Sequence, residues 1–75
     1  MAPKIPMQDV TGSSNIRAIG YDAESETLRI EFKHRALYDY KGVPKQMYED
    51  LMAAPSYGVF FAANVKNKFL TVSIP

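Results

Sequence analysis

Cysteine is missing from this 75-residue chain, and disulfides, zinc–thiolate sites and thiol nucleophiles are missing with it. Tryptophan is absent too, and histidine occurs once, at His34. A single histidine cannot anchor a metal site that needs several nitrogen, sulfur or carboxylate ligands together, so no metal is expected. Glycine is sparse, and Gly20 stands alone rather than in a phosphate-cradling repeat, so no nucleotide cofactor is expected either. No apolar run approaches the roughly 18 residues a membrane span requires. The stretch from Met1 to Met7 holds one lysine and two prolines without an apolar centre, so a secretory signal is not expected there. With no cysteine to oxidise, a reducing compartment fits, and the cytoplasm is the expected location. Excess charge of either sign is also lacking. Nine Lys and Arg against eight Asp and Glu leave +1, with a sequence pI near 8.0. Dedicated nucleic-acid domains often lie above about 9, so a nucleic-acid role here would have to rest on local clustering.

What is present is the material of one small globular domain. Hydrophobic residues make up 47% of the chain, and five tyrosines and four phenylalanines are among them. A domain of this size buries only about 60% of the surface its unfolded chain exposes, so modest stability is expected. Residues 1–9 read as a flexible lead-in, because Pro3 and Pro6 lack an amide donor. Thr11-Gly12-Ser13-Ser14 is a turn-forming cluster. Asn15 to Asp22 predicts a first strand whose buried face polarity alone does not identify. Thr27 to Phe32 is a clearer strand. Leu28, Ile30 and Phe32 alternate with Thr27, Arg29 and Glu31, the pattern of a sheet with one face in water.

A third strand is expected over Leu37 to Lys41, with Tyr38 and Tyr40 on one face and Leu37, Asp39 and Lys41 on the other. An unpaired buried carboxylate is costly, which sends Asp39 to water and the tyrosines inward. Pro44 suits a first helical turn, and Met47, Tyr48, Leu51 and Met52 recur at helical spacing up to Pro55. Ser56 then caps a second helix, whose stripe is Tyr57, Phe60, Phe61 and Val65, and Lys66 and Lys68 fall in its expected last turn. Residues 70–75 alternate Leu70, Val72 and Ile74 with Thr71 and Ser73, which suits either a short edge strand or a disordered tail. The expected fold class is α+β: a small three-stranded antiparallel sheet followed by two helices, with a short C-terminal strand as an addition.

The order of these signals resembles a known family. Val10, Ser13-Ser14, Ile16, Ile19-Gly20-Tyr21-Asp22, Leu28 through Phe32, Tyr38-x-Tyr40, Val43-Pro44, Tyr48, Ala54-x-Ser56-x-Gly58 and Phe60-Phe61 fall in ungapped register with the KTSC domain. That short module takes its name from the C-terminus of some lysyl-tRNA synthetases and also occurs as free-standing bacterial and phage proteins. The resemblance spans roughly residues 10–69, taken as a single domain. It implies RNA as a ligand, by association with the synthetase; family membership does not by itself fix an activity. Two departures stand out. Arg35 replaces a glycine common in the second hairpin turn, which predicts another turn geometry, and Val59, Ala62 and Ala63 replace polar or basic residues of the second helix.

Catalysis is not expected. Nucleophilic chemistry needs an activated side chain, a base within reach and an orienting group. Ser13 and Ser14 sit in a turn, His34 sits between Lys33 and Arg35 in another, and nothing in the sequence brings them together. The acidic pairs, Glu24 with Glu26 and Glu49 with Asp50, lie in a loop and at adjacent helix positions. A non-catalytic binding role remains, in two versions. Single-stranded RNA is held by aromatic side chains that stack bases and by Lys and Arg that meet phosphates. In this chain Tyr38 and Tyr40 would form the platform, and Arg29, Lys33, Arg35, Lys41, Lys66 and Lys68 would meet the backbone. The plainer reading of the tyrosines is core packing with hydroxyls at the rim. The second version is a protein partner: a regulator, of the phage-encoded kind that acts on host machinery, using the apolar run Val59, Phe60, Phe61.

Overall fold

The computed structural model describes residues 5–75; the first four residues of the expected lead-in lie outside the described residues. In chain order the elements are β1 (Met7–Asp9), β2 (Ile16–Asp22), β3 (Thr27–Phe32), β4 (Leu37–Lys41), α1 (Lys45–Ala53), α2 (Tyr57–Asn64) and β5 (Leu70–Ile74). The strands form one antiparallel sheet in sequence order, with both helices inserted between β4 and β5. The α+β class holds, but among the described residues there are five strands rather than three and a tail. The lead-in contributes β1, which pairs Met7 with Gly20 and Asp9 with Ala18, and the tail is a full strand beside β4.

The helices cover one face. Ile16, Ile19, Leu28, Ile30, Phe32 and Tyr40 point to it and pack with Val43, Leu51, Phe61 and Val65. A bulge in β2 explains why its buried face is hard to read. Ile16 pairs with Phe32 and Ala18 with Glu31, so Arg17 is an extra residue. Inserting one residue resets the two-residue alternation, and Ile16 and Ile19 reach the same face although three positions separate them. Pro44 caps α1 from just outside it, and the Ser56 hydroxyl of α2 accepts the Val59 N–H at 3.3 Å. α2 ends at Asn64, so Lys66 and Lys68 lie in the turn beyond it and not in its last turn. α1 is anchored where Tyr48 stacks on Tyr21 with ring centroids 4.8 Å apart, while the Tyr21 hydroxyl donates to the Val43 carbonyl.

The other face of the sheet is not simply wet. Asp39 is 0% exposed and Arg29 9% exposed, contrary to the expectation that Asp39 faces water. The two stand directly opposite each other in the β3–β4 register. Arg29 Nε donates to Asp39 Oδ1 at 2.6 Å and Nη2 to Oδ2 at 2.9 Å, a two-pronged match of guanidinium to carboxylate. Lys41 Nζ lies 3.7 Å from Oδ2. Asp39 is therefore buried as a partnered charge, which removes the argument for sending it to solvent. Beside this pair, Gly20 lets residues 5–7 pass close over β2. A methyl group there would stand 2.6 Å from the Pro6 carbonyl oxygen and 2.8 Å from Ile5 Cγ2.

Candidate functional site

A cleft of about 330 Å³ opens between the β3–β4 end of the sheet and α2. Its aromatic wall follows from strand alternation. Phe32, Tyr38 and Tyr40 lie on the helix-facing side of neighbouring strands, and Phe61 of α2 meets them edge-on, 5.6 Å from Phe32 and 5.3 Å from Tyr40. Phe32 also touches Tyr38 edge-on at 5.9 Å and carries His34 against its ring at 5.8 Å. Asn15, Gly58, Ala62 and Lys66 complete the lining. Gly58 lets α2 come close to the loop before β2, since a methyl group there would stand 3.1 Å from Asn15 Oδ1. Tyr40 is buried, and burial, with Tyr38 as a lesser contributor, pushes its phenol pKa up, so it remains a neutral hydrogen-bonding group. Tyr38 is only half-buried and presents ring surface to the cleft.

The turn that closes this end is a three-residue hairpin loop, Lys33-His34-Arg35. The Phe32 N–H donates to the Ala36 carbonyl at 2.9 Å, and the Arg35 N–H donates back to the Phe32 carbonyl at 2.8 Å. Arg35 has φ +70, the left-handed position that such loops normally give to glycine. The expected change of turn geometry does not occur: arginine occupies the glycine position. The Lys33 N–H donates to the Asn15 carbonyl at 2.8 Å and ties the turn to the loop before β2. In that loop the Ser13 hydroxyl accepts the Ile16 N–H at 3.1 Å and donates to Asn15 Oδ1 at 3.2 Å, so it serves local structure.

The residues expected to bind RNA separate into two groups. Tyr38, Tyr40 and Lys66 line the cleft, and Lys33 and Arg35 flank His34 in the turn at its rim. Arg29 and Lys41 are corrections. Both project from the opposite face of the sheet, where Arg29 is engaged with Asp39 and Lys41 stands beside it, so neither shares a surface with the tyrosines. Lys68 is exposed in the turn after α2 but does not line the cleft. The apolar run also divides. Val59 is 69% exposed and Phe60 half-buried, whereas Phe61 is 5% exposed, belongs to the core and does not share the outer surface of Val59. Sequence reasoning missed Asn15, Phe32, Gly58, Phe61 and Ala62 as cleft residues. It weighed His34 only as a catalytic base. The nearest available signal was the Phe32-x-His34 spacing ahead of Tyr38-x-Tyr40.

The profile of the KTSC domain family matches residues 12–69, which contain the cleft, both helices and three of the five strands. The chain belongs to the KTSC domain family. The crystal structure of a KTSC domain protein from Yersinia pestis matches with a TM-score of 0.91 at 39% identity, over 96% of this chain and 100% of that one. A protein of Tsukamurella paurometabola is 40% identical over 62 residues, covering 83% of this chain and 92% of its relative. A lysine–tRNA ligase of Nostoc punctiforme is 41% identical over 56 residues, 75% of this chain but only 10% of the ligase. The matched segment thus accounts for a small part of that much longer chain.

Proposed function

We propose that this KTSC domain is a non-catalytic RNA-binding module whose aromatic cleft receives one unpaired base. The observation that carries the reading is the cleft itself: ring surface from Tyr38, Phe32 and His34 beside Lys66, with Lys33 and Arg35 at the rim. A base entering it stacks on the half-buried Tyr38 ring and the exposed His34 ring, and the flanking phosphates meet the three cations. Base stacking on an aromatic side chain contributes about 1–3 kcal/mol and tolerates any sequence. The occurrence of a similar segment within lysine–tRNA ligases supports the class of ligand. His34 acts here as a ring and not as a base.

An amide-shift titration with a short mixed-sequence RNA at low salt tests this. Shifts are expected in residues 32–40, at Asn15 and around Lys66, and Tyr38→Ala is expected to weaken binding by about tenfold. With three participating cations the log-log salt slope should be shallow, about −2. Silence at millimolar RNA refutes the reading. A second reading has one observation of its own, an apolar depression of about 300 Å³ around Val59 and Phe60 that also involves Ala54, Pro55 and Ala63. Binding there would be nearly insensitive to salt and lost in Val59→Glu.

A further inference from the structure

The two edges of the sheet are built differently. β1 is three residues long, follows Pro6 and ends on Asp9, and each of these features discourages a further strand from adding to it. β5 has five residues and neither charge, proline nor bulge within it. Its register against β4 places Leu70, Val72 and Ile74 beside Lys41, Asp39 and Leu37, and Thr71 and Ser73 beside Tyr40 and Tyr38. One side of the strand is therefore apolar and the other carries hydroxyls. Leu70 is 71% exposed and Val72 39% exposed, and among the described residues only β4 pairs with this strand.

We propose that β5 pairs antiparallel with β5 of a second copy of this chain, about a two-fold axis at Val72. The symmetry of the strand itself selects that occupant. Reversal about its centre sets Leu70 opposite the partner's Ile74, Thr71 opposite the partner's Ser73, and Val72 opposite the partner's Val72. Apolar side chains meet apolar ones, hydroxyls meet hydroxyls, and no charge faces a like charge, the condition under which cross-strand neighbours stabilise a sheet. The row that begins at Lys41 continues through Leu70 to the partner's Ile74 and the partner's Leu37, so the lysine stays at the margin of the apolar patch. Five residues a side is small against the about 20–30 of a standard interface. The dimer is accordingly weak and concentration-dependent. If the RNA reading is also right, the two clefts lie on one continuous face, with Tyr38 and Tyr40 of each copy separated by the Thr71 and Ser73 hydroxyls.

Sedimentation velocity on the full chain, from low micromolar to millimolar concentration, reads the assembly directly. The wild-type chain should shift from monomer to dimer across that range. Val72→Lys sets two ammonium groups opposite each other and should leave only monomer, with its amide spectrum confirming that it is folded. Leu70→Lys and Ile74→Glu should each weaken the dimer by about tenfold. The double variant L70K/I74E places each Lys opposite a Glu and should restore it, a result that only this register gives. A wild-type chain that stays monomeric at millimolar concentration overturns the proposal. So does a dimer that survives Val72→Lys, or a double variant no better than its parents. RNA binding by a strictly monomeric chain would leave the cleft reading intact and sink only this one.

Discussion

Removing the Asp39 carboxylate is the sharpest test of how the sheet is held together. In Asp39→Ala, the Arg29 guanidinium loses both of its charge-assisted hydrogen bonds, at 2.6 and 2.9 Å. Arg29 is only 9% exposed, so water cannot replace what is lost without the sheet opening. Breaking a buried ion pair from one side costs about 3–5 kcal/mol. A chain of this length has about 4–11 kcal/mol of total stability, so the variant should lose between about a quarter of it and all of it. Even a 3 kcal/mol loss should lower the melting temperature by at least about 12 °C. Thermal unfolding followed by far-ultraviolet circular dichroism measures this. The double variant R29M/D39L provides the control, because it removes both charges and leaves neither uncompensated. It should lie within about 1 kcal/mol of the wild type, since apolar replacement of a buried pair is often neutral. The reasoning fails if Asp39→Ala costs less than about 1 kcal/mol, the value of an exposed pair. It also fails if the double variant is as unstable as the single one.

Two further substitutions probe the backbone. Arg35→Gly relieves a left-handed conformation that costs an ordinary residue about 1–2 kcal/mol, and glycine returns part of that gain as chain entropy. A net stabilisation of about 1 kcal/mol is expected in urea denaturation, and a destabilised variant would contradict the turn geometry. Gly20→Ala drives a methyl group into the backbone of Pro6 and should cost about 1–3 kcal/mol. Hydrogen exchange should show the loss concentrated in β1 and its partner residues 18–20; uniform loosening of the whole domain would argue against the close approach.

The elements whose own residues carry their pattern were legible in the sequence. Thr27–Phe32 and Leu37–Lys41 are the strands that alternation predicts, Ser56 caps the helix it was expected to cap, and the tyrosines do point toward the helices. β1 was not legible, because Met7-Gln8-Asp9 has no alternation of its own and pairs only because Gly20 admits the chain beside it. The cleft was half legible for a related reason. Tyr38 and Tyr40 are neighbours in sequence, but Asn15, Gly58, Ala62 and Lys66 come from three other segments that only the folded chain brings to one place.

Taken one strand at a time, polarity sends an aspartate in a strand centre to water. Register decides otherwise for Asp39. With a three-residue loop, Lys33-His34-Arg35, and Phe32 opposite Ala36, Ile30 falls opposite Tyr38 and Arg29 opposite Asp39. An arginine and an aspartate that face each other across a hairpin form one unit of near-zero charge, and such a unit can be buried where either member alone could not. The same step withdraws Arg29 from the set of cations available to a ligand and leaves Lys33, Arg35 and Lys66 around the cleft. The strand bounds alone leave four residues between the strands and would set Arg29 opposite Tyr40; the left-handed Arg35, which closes the loop after three residues, is what sets Arg29 against Asp39.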